Sequence, residues 1–119
     1  MKTASYFTYF GPGRIGITVG TPRRTPAGYR MYRQLAPHRD MLDLPYAAFR
    51  DIFLREILGP LDPQRVLRDL NELAAGHEPV LLCFERPPLT ATNWCHRRIV
   101  AEWFRDRLGL DIPEYVPDS

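Results

Sequence analysis

The chain has 119 residues, 45% hydrophobic and 25% charged, with two cysteines and a formal net charge of +2. That length supports one domain with a real core and leaves no room for a second. The composition is that of a water-facing globular chain, and no apolar run approaches the roughly 18 residues of a membrane helix, which excludes a helical spanning protein.

The small net charge conceals an asymmetry. Residues 1–39 contain Lys2, Arg14, Arg23, Arg24, Arg30, Arg33 and Arg39 without a single Asp or Glu, a charge of +7, and the remainder carries −5. Codon bias can favour arginine over lysine, but it does not remove acids from a third of a chain. A ligand or partner rich in phosphate or carboxylate is therefore expected. The amino terminus leads straight into an aromatic segment with no apolar leader. The two cysteines are accordingly expected to be reduced thiols in a cytoplasmic protein.

In chain order, Thr3 to Phe10 is aromatic and β-branched and predicts a first strand, closed by Gly11-Pro12-Gly13. Ile15, Ile17 and Val19 alternate with small or polar residues and predict a second, half-covered strand. Gly20 to Arg30 has no periodicity and three arginines, and reads as a basic loop of the kind that is often functional. Met31 to Leu44 fits short helical turns broken at Pro37. A helix is expected from Asp43, as N-cap, with Pro45 in its first turn and Tyr46, Phe49, Phe53 and Ile57 on one stripe up to Gly59-Pro60. Asp62-Pro63 starts the next helix, with Val66, Leu67, Leu70 and Leu73 inward and Gly76 at its end.

Pro79-Val80-Leu81-Leu82-Cys83-Phe84-Glu85 is a short apolar run ending in a thiol and a carboxylate, the pattern of a central parallel strand buried on both faces. After a loop, Asn93-Trp94-Cys95-His96-Arg97-Arg98 opens an amphipathic helix running to about Leu108, with Ile99, Val100, Trp103, Phe104 and Leu108 buried and Gly109 past its end. Asp111 to Tyr115 completes a strand–helix–strand unit. Together these elements predict an α/β fold: a single domain over 1–119 with a small, mostly parallel sheet of three or four strands and helices packed on it.

Leu81-Leu82-Cys83-Phe84-Glu85, then Cys95-His96-Arg97, then Val100-Ala101-Glu102-Trp103 resembles the domain of unknown function 488 family, whose members show a Leu-Leu-Cys-x-Glu strand followed by Cys-His-Arg at a helix start. Gly20-Thr21-Pro22 and Leu35-Ala36-Pro37 resemble a short branch of it, and the similarity covers about residues 14–115. The loop from Glu85 to Cys95 is longer here than the compact spacing usual in that family. The resemblance implies an α/β fold and no particular activity.

Ligands of open α/β sheets bind at the carboxyl ends of strands, against the following helix starts. Cys83, Glu85, Cys95, His96 and Arg97 all fall there. One reading is anion binding by the helix amino terminus with Arg97 and Arg98, against a structural pairing of those arginines with Glu85 or Glu102. A second is nucleophilic chemistry by Cys95, its thiol acidified by the helix end and by His96 and Arg97, with Glu85 as orienting group or base. Its bland counterpart is a packed apolar thiol, above all for Cys83. A metal site from Cys83, Cys95 and His96 is not expected: the spacing matches no standard zinc pattern, and adjacent helical residues diverge by about 100°. A Cys83–Cys95 disulfide is possible in geometry but ill suited to a reducing compartment. Arg23, Arg24, Arg30 and Arg33, interleaved with Tyr29 and Tyr32, have the ingredients of single-strand or nucleotide binding.

The preferred expectation is an enzyme on a phosphate-containing ligand, a nucleotide or nucleic acid, in a protein that touches no membrane. Cys95, His96 and Glu85 would do the chemistry, Arg97, Arg98, Arg23, Arg24 and Arg30 would bind phosphate, and Cys83, Asn93 and Trp94 would support them, with no cofactor. The rival is a non-catalytic nucleic-acid-binding module using Arg23 to Arg33. Nothing in the sequence fixes oligomeric state.

Overall fold

The computed structural model describes residues 1–117. In chain order its regular elements are β1 (Lys2–Ser5), β2 (Arg14–Gly16), β3 (Arg30–Met31), α1 (Tyr46–Ile52), α2 (Pro63–Ala74), β4 (Val80–Cys83) and α3 (His96–Leu108). Two single 3-10 turns, Arg33–Leu35 and Arg39–Met41, precede α1, and a π-helical stretch, Phe53–Leu58, prolongs it. No helix is long and apolar enough to cross a membrane among the described residues.

The four strands form one sheet in the order β1-β4-β2-β3, and every pairing is parallel. The apolar β4 lies inside it, with Leu81 opposite Thr3 on one side and Ile15 on the other. A strand with no polar residue to turn outward needs cover on both faces. It has that cover from two different sources. Leu81, Cys83 and Ile15 face a core built by α1, α2 and α3, including Phe49, Phe53, Leu70, Val100 and Phe104. Val80, Leu82 and Ala4 face the opposite way, under Tyr6, Phe7, Tyr9, Tyr29 and Tyr115 from loops. Aromatic side chains replace the second helical layer.

The caps follow the expected chemistry for two helices. Asp62 accepts the Gln64 N–H at the start of α2, and Gly109 takes the left-handed conformation (φ 70°) after α3. At Gly13, φ is 82° and the backbone carbonyl of Glu78 stands where a Cβ would go, so the turn into β2 needs glycine twice over.

Several expected boundaries differ. The first strand stops at Ser5 rather than Phe10: Ser5 Oγ accepts the Phe7 N–H and its carbonyl accepts from Thr8 and Tyr9, which curls the aromatic run into a turn. The second strand ends at Gly16, although Ile17 N–H still reaches the Leu82 carbonyl. The basic loop closes with a short strand, β3, which its composition did not announce. Asp43 does not cap α1; Pro45 stands at that N-cap without a side-chain bond. The last helix starts at His96, not Asn93. Asp111 to Tyr115 makes one parallel bridge, Thr3 to Glu114, extending the sheet past β1.

Candidate functional site

Because the strands are parallel, the residues after β2 and after β4 emerge on the same edge, where α3 begins. Thr18, Val19 and Gly20 from the first exit, Cys83, Phe84 and Glu85 from the second, and Trp94, Cys95 and His96 from the helix start line one cavity of about 260 Å³, closed by Pro37, Leu42 and Phe49. A wider cleft of about 540 Å³, between the 87–91 loop, Tyr46 and Arg98, shares Trp94 and Cys95 with it. Cys95 therefore stands in the wall between the two.

Cys83 and Cys95 are bonded as a disulfide, with Cα atoms 6.9 Å apart, and each is at most 3% exposed. His96 stands against both. Its Nε2 lies 2.6 Å from the Ile17 carbonyl oxygen, and Nδ1 lies 3.6 Å from Cys83 Sγ and 3.7 Å from Cys95 Sγ. A carbonyl only accepts, so Nε2 carries the proton and Nδ1 presents its lone pair to the sulfurs. Burial pushes the imidazole down to about 4, with the Ile17 carbonyl pulling against it and the Arg97 charge adding to it. Phe53 packs edge-on against the ring, and Phe49 tilts over it.

Adjacent side chains diverge by about 100° only where both residues are helical. Cys95 is the N-cap, with extended backbone (φ −143°, ψ 146°). Its side chain consequently leaves the helical progression and turns toward that of His96. The Cys83, Cys95 and His96 donor atoms all lie within 4.8 Å of one another. The expectation of divergent side chains is thereby corrected.

Glu85 shares the cavity but does not orient His96; the Ile17 carbonyl does. Glu85 Oε2 is buried without a hydrogen-bond partner. Burial raises its carboxyl above the ordinary range, against its own backbone N–H and the Arg97 charge. Trp94 packs on Tyr46 and Phe49, and Asn93 Nδ2 donates to the carbonyls of Arg86 and Pro88, which folds the 86–93 loop.

Arg97 is engaged inside the protein, although its Nη1 is buried without a hydrogen-bond partner. Its side chain is fully buried, and its Nε and Nη2 grip the two oxygens of Glu114 at 2.9 and 2.7 Å while Nη2 also donates to the Glu85 carbonyl. Thr3 Oγ1 donates to the same carboxylate, and Arg98 Nη1 donates to Thr3 Oγ1 and to the Ile112 carbonyl. Neither Glu85 nor Glu102 pairs with these arginines: Arg97 forms its ion pair with Glu114, Arg98 makes none among the described residues, and Glu102 pairs with Arg50. The network fastens 112–114 to β1. Arg98 still borders the wider cleft, and burial lowers its affinity for its proton.

Arg23, Arg24 and Arg30 are exposed and lie away from the cavity. None of them makes an ion pair or a side-chain hydrogen bond among the described residues. Arg14 instead braces their loop, donating to the carbonyls of Gly11, Pro26 and Ala27.

Two participants had no visible signal. Ile17 acts through a backbone carbonyl, which no side-chain pattern reports. Glu114 is an acid on a proline-weakened terminal segment, and its role depends on the parallel bridge that brings it beside Thr3.

A family model described as "Domain of unknown function DUF488" matches residues 22–104, which takes in every element from the basic loop to the middle of α3. No curated protein and no solved structure matches the chain.

Proposed function

The chain belongs to the DUF488 family, whose description assigns no activity, and we propose from the site itself that it is a thiol enzyme exchanging its Cys83–Cys95 pair with a disulfide substrate at the strand-end cavity. One observation carries this reading: two bonded sulfurs, both on the cavity wall, face the unprotonated Nδ1 of one histidine. In a reducing compartment a cysteine pair that does oxidise is usually transient and either catalytic or sensing.

Cys95 is the attacking residue, because it borders both cavities and sits at the helix start, where the dipole favours thiolate. Starting from the dithiol, His96 Nδ1 takes the Cys95 proton and the thiolate attacks one substrate sulfur. The substrate S–S bond breaks and one thiolate leaves. Cys83, losing its proton in turn, attacks the mixed disulfide at Cys95 and releases the second thiolate. The substrate has gained two electrons and two protons, and the protein is oxidised to the bonded pair. The walls, largely Val19, Pro37, Leu42, Phe84 and Trp94, favour an apolar group beside the reacting sulfur.

The test is trapping. Reduced Cys83→Ser should hold a small aromatic disulfide as a stable adduct on Cys95, and reduced Cys95→Ser should form little adduct, both read by mass. If Cys95 in the folded, reduced protein reacts no faster than an unstructured peptide thiol, the exchange reading fails.

A second reading has its own support. The exposed arginines of the 20–30 loop, none of which lines the thiol cavity, suit a polyanion, a nucleic acid or nucleotide. Salt-dependent anisotropy with labelled single-stranded DNA, duplex DNA and RNA tests it; absence of binding at low salt would remove it.

A further inference from the structure

We propose that the dithiol form holds a zinc ion between Cys83 Sγ, Cys95 Sγ and His96 Nδ1. The inference stands apart from the exchange reaction, since it needs only that the two sulfurs be reduced. Three features support it. The first is the spacing of the donors. Zn–S and Zn–N bonds of ordinary length at tetrahedral angles put a sulfur and a nitrogen about 3.6 Å apart, and the two sulfurs stand 3.6 and 3.7 Å from Nδ1. The same tetrahedron separates its sulfurs by about 3.8 Å. The Cα atoms of the pair are 6.9 Å apart, at the outer limit of the disulfide range, which leaves room for an ion once the bond is broken.

The second feature is the support behind the donor set. A ligating histidine almost always gives its other ring N–H to a carbonyl or carboxylate, which fixes ring and tautomer. His96 Nε2 already donates to Ile17 at 2.6 Å. The ring needs no turn to present Nδ1. The third is chemical type. Two thiolates and an imidazole, a donor set of sulfur and nitrogen, select zinc over the hard cations that take oxygen ligands. Three protein ligands leave a fourth position, and the cavity that all three residues line offers it to water.

Binding exchanges two thiol protons for the ion, so the reduced, metal-free chain should take up one zinc per molecule and release up to two protons. The disulfide form has no thiolates and should take up none. Zinc binding and the bonded state therefore exclude each other at the same pair of sulfurs.

The experiment uses the full chain, reduced with a phosphine and stripped of metal, titrated with zinc against a chromophoric chelator and with cobalt(II) as a spectroscopic probe. Expected are one ion per chain, a thiolate-to-cobalt charge-transfer band with the d–d bands of a tetrahedral ion, and affinity lowered more than about a hundredfold in His96→Ala. The oxidised wild type is the control that keeps every residue, so loss of folding in a variant does not decide the question. No uptake by the reduced wild type, equal uptake by the oxidised form, or a cobalt spectrum without the thiolate band overturns the proposal. Trapping on Cys95 without zinc uptake removes the metal alone, and zinc uptake without trapping removes the exchange reaction alone.

Discussion

The strand-end edge and the loop from Gly20 to Arg30 are both rich in groups that bind ligands, and they use them in opposite ways. At the edge, Arg97 is spent on Glu114, Arg98 on Thr3 and Ile112, and the His96 N–H on Ile17. What stays uncommitted there is the lone pair of one ring nitrogen facing two sulfurs, together with Oε2 of Glu85 and Nη1 of Arg97. On the loop, Arg23, Arg24 and Arg30 project into solvent without partners, on a backbone tethered by Arg14. Charge held in the core builds the scaffold, while charge left at the surface is free to recruit. The Cys-His-Arg motif thus divides within itself, with Cys95 and His96 facing the cavity and Arg97 facing the terminal segment.

The sharpest way to break this contrast is to remove the buried charge. Arg97→Ala leaves Glu114, 15% exposed, without its bidentate partner and removes the tie between α3 and residue 114. A loss of about 3–5 kcal/mol is expected by urea unfolding. Stability within about 1 kcal/mol of wild type would mean that Arg97 is not a strut and is open again to a ligand role.

Next in size is the pH response of the edge, in the oxidised, metal-free protein. The unfolded chain protonates His96 near 6.5, and the folded chain near 4. Between those values the unfolded state holds more protons, so stability falls as pH falls, by about 3 kcal/mol over the whole window. Glu85 opposes the trend at its acid end: its folded carboxyl protonates above its ordinary value, so it stabilises as the pH drops. Urea midpoints should therefore decline from pH 6.5 toward pH 4.5 and then flatten before paired carboxylates are lost. A constant midpoint across that window would show that the imidazole gains its proton in the folded state.

The sequence made the scaffold of this edge readable because the relevant signals were local. An apolar run followed by a helix places Cys83 and Cys95 on one edge in any parallel sheet, and Asp62-Pro63 and Gly109 mark their helix ends by chemistry that needs no tertiary partner. Which charges were free was not local. The pairing of Arg97 depends on a single bridge between residues 3 and 114, and the convergence of Cys95 with His96 depends on one extended N-cap backbone. Strand-favouring composition misled at Thr3 to Phe10 because Ser5 offered the backbone a turn that competed with the ladder.

Arg14 joins the two regions and should give an intermediate effect. It sits in β2, yet its guanidinium spans to Gly11, Pro26 and Ala27, so Arg14→Ala removes three bonds to carbonyls. A cost of about 1–2 kcal/mol is expected, because water can satisfy these partly exposed carbonyls. Faster hydrogen exchange should be confined to the loop preceding β3. Spread of that exchange into β4 would indicate that the loop is part of the core rather than hung on it.

The smallest stability effect belongs to the loop itself, and there the contrast is most informative. Arg23→Ala with Arg24→Ala removes two exposed charges that make no ion pair or side-chain hydrogen bond among the described residues, so unfolding should shift by no more than about 0.5 kcal/mol. If the loop meets a polyanion, the dependence of binding on salt should flatten instead. For duplex DNA the slope of log affinity against log salt should fall by about 1.8, and for a single strand by about 1.4, if each arginine neutralises one phosphate. An unchanged slope with wild-type affinity would place any nucleic acid elsewhere on the surface. A large stability loss with no change in slope would reverse the assignment of the two regions, making the exposed arginines structural. The pair of readings matters more than either alone, because a side chain held for recruitment contributes to binding without contributing to folding.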